Sequence, residues 1–175
     1  MVGVPACASP VLRRGVASIL ALGHDPIMDN LSHFIQYATA FEQAYADDDW
    51  SRLIPYFADD AVYRVVSDVF GCELRGPEAI LRGIQKSVNG FDRRFATRQI
   101  EVTSGPEVEG DTVRLGWSVT YTLEGVEPFV LPGRSRARLR DGKLVELEDA
   151  YDASTMQAAA EWQHANGMTF DPSYV

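Results

Sequence analysis

Residues 53–65 read LIPYFADDAVYRV, an apolar run that breaks at two aspartates and resumes with the alternation of a strand. Trp50, Leu53, Ile54 and Phe57 fall on one side of a short helix that should stop at Ala58-Asp59-Asp60, and residues 61–66 read as a strand. Upstream, Leu31, Phe34, Ile35, Ala38, Phe41 and Tyr45 recur at helical spacing over 29–47, with Asp29 or Asn30 as the cap and the acidic run 47–49 as the break. Downstream, 67–75 lacks a pattern and reads as a loop. Gly76-Pro77-Glu78 then opens a helix with proline at its first position, Ile80, Leu81, Ile84 and Val88 as its apolar stripe, and Asn89-Gly90 at its end.

The rest reads mostly as strand. In 96–103, Ala96, Ile100 and Val102 share a side with Arg98, the single charge there. In 112–123, Val113, Leu115, Trp117, Val119, Tyr121 and Leu123 alternate with polar residues and form an inward face. The segment RSRARLRDGKLVELED, residues 134–149, is a hairpin about Asp141-Gly142. A two-residue loop would set arginines beside aliphatic residues. A three-residue loop with Gly142 as a left-handed bulge would pair Arg136 with Glu146 and Arg134 with Glu148, and the charges favour it. Arg134, Arg136, Arg138, Glu146 and Glu148 then share the outer face, while Ser135, Ala137, Leu139, Val145, Leu147 and Asp149 point inward. A last helix should start at Asp152, carry Met156, Ala159, Ala160 and Trp162, and end at Asn166-Gly167.

With 175 residues, 46% apolar and 23% charged, the chain supports one core, read as a domain over 28–175 preceded by an N-terminal extension over 1–27. The apolar stretch in that extension is too short to span a bilayer, and nothing after Gly23 resembles a signal-peptidase site. A net charge of -9 argues against nucleic acid as a partner. Cys7 and Cys72 are far apart and the histidines are unclustered. Neither a disulfide framework nor a zinc site is implied, and a reducing, cytoplasmic location fits. Phosphate-binding glycine patterns are absent, so no nucleotide cofactor is expected.

Two helices, a strand, a helix and a run of antiparallel strands describe an α+β domain. LIPYFADDAVYRV, then GPEAI at 76–80 and LRDGKLVELEDAYD at 139–152, resembles the nuclear transport factor 2-like superfamily, in particular its SnoaL-like branch, over roughly 30–165. The resemblance implies a cone-shaped, curved antiparallel sheet whose concave face, covered by helices, encloses a small-molecule pocket. It also implies a homodimer through the outer sheet face. Superfamily members include ketosteroid isomerases, polyketide cyclases, limonene epoxide hydrolases, dehydratases and non-catalytic binding modules, so the fold alone selects no reaction.

The isomerase positions for base and oxyanion hole align with Val65, Phe41 and Ser135, none of which can serve. His24, His33 and His164 lie in the extension or on the terminal helices, which disfavours a histidine base. Against the epoxide hydrolases, Tyr63 and Asp149 match, whereas Trp117 and Val119 replace the remaining arginine and aspartate.

Face assignment places Arg98 and Asp149 as inward charges, joined by Tyr63, Trp117, Tyr121 and Tyr45. An inward charge requires a partner, a ligand or a shifted pKa. Either Arg98 and Asp149 pair structurally, or Asp149 is unpaired and suited to proton transfer, with Tyr63 or Arg98 stabilising developing negative charge. Phe41, Tyr45, Trp117, Val119 and Tyr121 are candidates for lining a substrate site, and equally for core. The two functional readings are a cofactor-free acid/base enzyme acting on a small apolar molecule, and a non-catalytic ligand-binding or dimeric interaction module. The arginine strip 134–140, with glutamates opposite, reads as a solvated or subunit-facing surface.

Overall fold

The computed structural model describes residues 26–175. Almost all of the expected 1–27 extension therefore lies outside the described residues. Helix α1 spans Pro26–Asp47 and is followed by a 3-10 turn, Trp50–Tyr56, strand β1, Phe57–Val66, and strand β2, Gly71–Arg75. Helix α2, Pro77–Gly90, leads through a short turn at Asp92–Arg94 into β3, Thr97–Glu109, then β4, Thr112–Leu123, β5, Val126–Arg140, β6, Lys143–Ala150, and helix α3, Ala153–Ala165.

The six strands form one curved, unclosed sheet in the order β2-β1-β6-β5-β4-β3. It is mixed rather than wholly antiparallel, because β1 runs parallel to β6 with Tyr63 opposite Leu147 and Val65 opposite Asp149. The helix-covered face meets α1 through Phe34, Tyr37, Ala40 and Ala44, and α2 through Ile80, Leu81, Ile84 and Val88. Leu53, Phe57, Val65, Ile80, Val113 and Leu144 are fully buried, which sets the core between this face and the helices.

Several boundaries differ from the sequence reading. Helix α1 begins at Pro26, so Asp29 sits in its first turn instead of capping it. Asp48 ends it in the left-handed region (φ 64°) and accepts the Trp50 indole N–H at 2.7 Å. Strand β1 starts at Phe57 because a register shift between Phe57 and Val62 lets Asp59 and Asp60 stay exposed within it. The segment expected to be a loop contains β2, an edge strand with Leu74 as its only buried residue, too little for a period-2 signal.

The last hairpin has the assigned faces in a different register. Its turn is a two-residue one, with Arg140 opposite Lys143 and left-handed Asp141 and Gly142 (φ 52° and 74°). A shift between Arg138 and Leu139 then absorbs one extra residue at Val145, so Arg138 faces Glu146 and Arg136 faces Glu148. Val145 leaves the inward row, and Leu144 takes its place opposite Leu139. On the outer face Glu146 accepts from Arg138 (2.7 Å) and Arg136 (3.4 Å), while Arg134 reaches Asp152 (2.5 Å). Ile100 and Val102 lie on the inward side of edge strand β3 but remain 40% and 55% exposed.

Candidate active site

Directly opposed positions on β1, β6, β5 and β4 form a row across the concave face: Val65, Asp149, Ser135 and Leu115. Asp149 sits at its centre. Its Oδ2 accepts the Tyr63 hydroxyl at 2.7 Å, and its Oδ1 accepts the Ser135 hydroxyl at 2.5 Å. Ser135 in turn accepts the Trp117 indole N–H at 2.8 Å. Trp117 can reach it because residue 133, opposite Trp117, is glycine. A Cβ there would stand 2.4 Å from the indole ring.

Asp149 carries no cationic partner among the described residues. It lies deep in the fold, and like Leu115, Trp117, Ser135 and Tyr151 on the same face it retains a little accessible surface. Desolvation drives the Asp149 carboxyl above its ordinary value, and the hydrogen bonds from Ser135 and Tyr63 offset only part of this. Burial likewise holds the Tyr63 phenol well above its ordinary value, reinforced by the negative charge of Asp149.

The expected hollow is filled. Tyr174, from the irregular segment after α3, packs its ring edge-on to Tyr63 at 5.5 Å between centroids, with the two hydroxyls 3.2 Å apart. Two open surface grooves, of about 670 Å³ beside Val126 and Trp162 and about 350 Å³ over Gly116 and Arg134, are lined by neither Asp149 nor Tyr63.

Arg98 takes no part in this cluster. Its Nη1 donates to Glu42 (2.9 Å) and its Nε to Asp92 (3.0 Å), and its guanidinium lies 4.9 Å from the Tyr45 ring centroid and 5.9 Å from that of Phe41. Burial pulls the Arg98 pKa down, but the two carboxylates more than reverse this and keep it charged. Tyr121 donates to the same Asp92 oxygen at 2.8 Å. Arg98, Phe41, Tyr45 and Tyr121 thus form a latch joining α1 to β3 and β4. Val119 belongs with Phe91, Phe95, Phe129 and Leu131 in a second apolar cluster.

Of the residues singled out in the sequence, the fold gathers Asp149, Tyr63 and Trp117, and separates Arg98, Phe41, Tyr45, Val119 and Tyr121 from them. Ser135 was readable as inward-facing; its bond to Asp149 follows from their opposition across the hairpin. Tyr174 lies in a stretch with no periodicity to announce it. Among the described residues, no three His, Cys, Asp or Glu side chains converge as a metal site, and no helix is long and apolar enough to cross a membrane.

Residues 38–147 match the SnoaL-like domain, more than half of the chain. The chain belongs to the SnoaL-like domain family. Among solved structures, this SnoaL-like chain is similar in fold to a hypothetical protein with a ketosteroid isomerase-like fold from Catenulispora acidiphila DSM 44928, solved with trimethylamine (20% identity, 76% of this chain and 93% of that one, TM-score 0.53). It is also similar to an LEH-like epoxide hydrolase from M. tuberculosis (14%, 82% and 98%, 0.55) and to TerC co-crystallised with polyporic acid (18%, 78% and 98%, 0.56). No curated protein matches the sequence.

The unpaired carboxyl has a consequence for stability. With its folded pKa above its unfolded value, Asp149 keeps its proton more readily in the fold, so its ionisation opposes folding. That penalty is absent below the ordinary carboxyl range and complete once pH has risen past the raised folded value. Asp149→Asn should therefore gain stability over the wild type as pH rises from the acid side toward neutrality, measured by urea unfolding at matched pH values. A difference that grows toward low pH instead would contradict the desolvation.

Proposed function

We propose that this SnoaL-like protein is a cofactor-free acid/base enzyme acting on a small, largely apolar molecule, with Asp149 as the group that transfers the proton. The observation that carries the reading is a deep carboxyl held by two neutral hydroxyls and, among the described residues, by no cation. A carboxylate so placed has its pKa moved toward the range where it can both take and return a proton.

Tyr63 has one proton, committed to Asp149 while that group is ionised. When Asp149 accepts a proton from the substrate, it no longer requires the phenol, whose O–H is freed to donate to an oxygen on which negative charge develops. Ser135, which accepts from Trp117, donates to Asp149 and favours its ionised form. Arg98 is not available for charge stabilisation there, because Glu42 and Asp92 already engage its guanidinium.

The test is a turnover screen of small carbonyl and epoxide compounds, followed by Asp149→Asn on whatever reacts. The variant should lose the activity while keeping its fold by circular dichroism, and undiminished turnover would remove Asp149 from the mechanism. A second reading, a non-catalytic ligand-binding module, is favoured by the packing of Tyr174 against Tyr63, next to Asp149. It predicts saturable binding without conversion, in the wild type and in Asp149→Asn alike.

A further inference from the structure

Strand β3 ends the sheet opposite β2, and among the described residues it pairs with β4 alone. Of its 13 residues only Arg98 and Val108 are other than exposed. A long open edge of this kind is a template for a further chain segment unless it is blunted. Its second half is blunted, because register shifts on either side of Ser104 and a proline at 106 break the ladder. The first half, Thr97–Val102, pairs with β4 without a shift and stays open.

The inward side of that half is apolar, with Ile100 and Val102 exposed on it. On α1, Leu31, Ile35 and Ala38 are half-buried on the stripe that also carries Glu42, which holds Arg98 at 2.9 Å. Apolar side chains of helix and strand therefore border one strip of surface, ended by the Glu42–Arg98–Asp92 latch.

The direction of α1 decides what can reach this strip. Near its start, Asn30 Nδ2 donates to the Gly110 carbonyl at 3.3 Å, beside the β3–β4 turn, whereas Glu42 near its end meets the start of β3. The helix thus runs antiparallel to β3, and the chain ahead of Pro26 enters beside the Gly110 end. Val102 lies about 26 Å from that end at roughly 3.3 Å per strand residue, which an extended chain leaving Asp25 covers in about eight residues. Within that reach is the uncharged apolar run VASILAL, residues 16–22.

Charge points the same way. Arg13 and Arg14 precede the run, and β3 presents exposed Glu101 and Glu107 but no free cation, since Glu42 and Asp92 hold Arg98. A second copy would instead bring the same glutamates to one seam, in a chain of net charge -9.

We propose that residues 16–22 dock on the strip between α1 and the Thr97–Val102 edge, with Arg13 and Arg14 set against the β3 glutamates. The segment covers the open end of the sheet from within the chain and occupies the place that another polypeptide would pair with. The surface lies three strands from β6, so it is independent of the role of Asp149.

Thiol labelling of the full chain tests this. With Cys7→Ser and Cys72→Ser as background, Val102→Cys is compared with Val69→Cys, a 70% exposed position between β1 and β2, each normalised to its own rate in urea. Docking should slow the reaction of residue 102 with N-ethylmaleimide about tenfold or more relative to residue 69, at any protein concentration. Ile19→Glu with Leu20→Glu, and separately Arg13→Glu with Arg14→Glu, should each raise the rate at 102 severalfold while circular dichroism stays unchanged. Equal rates at 102 and 69 overturn the proposal without need of those variants. So does a slow rate indifferent to either double substitution, or protection that fades on dilution, which would assign the strip to a second copy.

Discussion

Arg98→Ala is expected to destabilise the protein by about 3 kcal/mol, the lower end of the roughly 3–5 kcal/mol that follows removal of one member of a buried ion pair. The Arg98 side chain is 8% exposed and serves two carboxylates, Asp92 at 16% and Glu42 at 39%. Loss of the guanidinium leaves Asp92 with Tyr121 alone for compensation, while Glu42 can rehydrate, which is why the lower end applies. The same truncation on the outer face provides the contrast. Arg138 and Glu146 form a pair at 2.7 Å, but they are 36% and 28% exposed, and Arg138→Ala should cost under about 1 kcal/mol. Urea unfolding of the two variants checks the ordering, and equal losses would mean that the latch is as hydrated as the surface ladder.

For Asp149→Asn the expected loss of turnover is about 10²- to 10⁴-fold, the contribution of a positioned proton-transfer group. Magnitude alone would not separate a proton carrier from a scaffold residue, so the pH profile matters more. The hydrogen bonds from Ser135 and Tyr63 favour the ionised carboxylate and hold its pKa down against desolvation. Ser135→Ala removes one of them, and the ascending limb of activity against pH should move to higher pH without loss of the plateau. Trp117→Phe, which frees Ser135 from its indole donor, should leave the plateau likewise intact. A limb that stays in place in Ser135→Ala would show that a group other than Asp149 sets it.

Much of the fold was readable because its signals are local. The breaks at 47–49 and 76–78, the inward row of β4 and the charge-alternating hairpin each depend on neighbours within a few residues. The hairpin is instructive: charge matching assigned the faces of Arg136, Glu146 and Asp149 with the register two residues out, since a bulge at Val145 restores the parity that the two-residue turn would have inverted. Alternation reports parity, and a bulge changes register without a strong residue signature.

Arg98 was likewise identified as an inward charge, but its partners were not. Glu42 and Asp92 reach it only through the packing of α1 and the 92–94 turn against an edge strand, an apposition that no spacing in the sequence encodes. Edge strand β2 and the irregular segment 168–175 are illegible in the sequence for the same reason. One buries a single leucine and the other follows a groove made of glycines on another element.

The account rests on a carboxyl largely shielded from water and, among the described residues, left without a cation. A carbon-detected NMR titration of the Asp149 side-chain carboxyl, assigned by its disappearance in Asp149→Asn, measures this directly. The midpoint should lie above the ordinary aspartate value of 3.8 and move higher still in Ser135→Ala. A midpoint at or below that value would place Asp149 in water or beside a positive charge, contradicting the site as described.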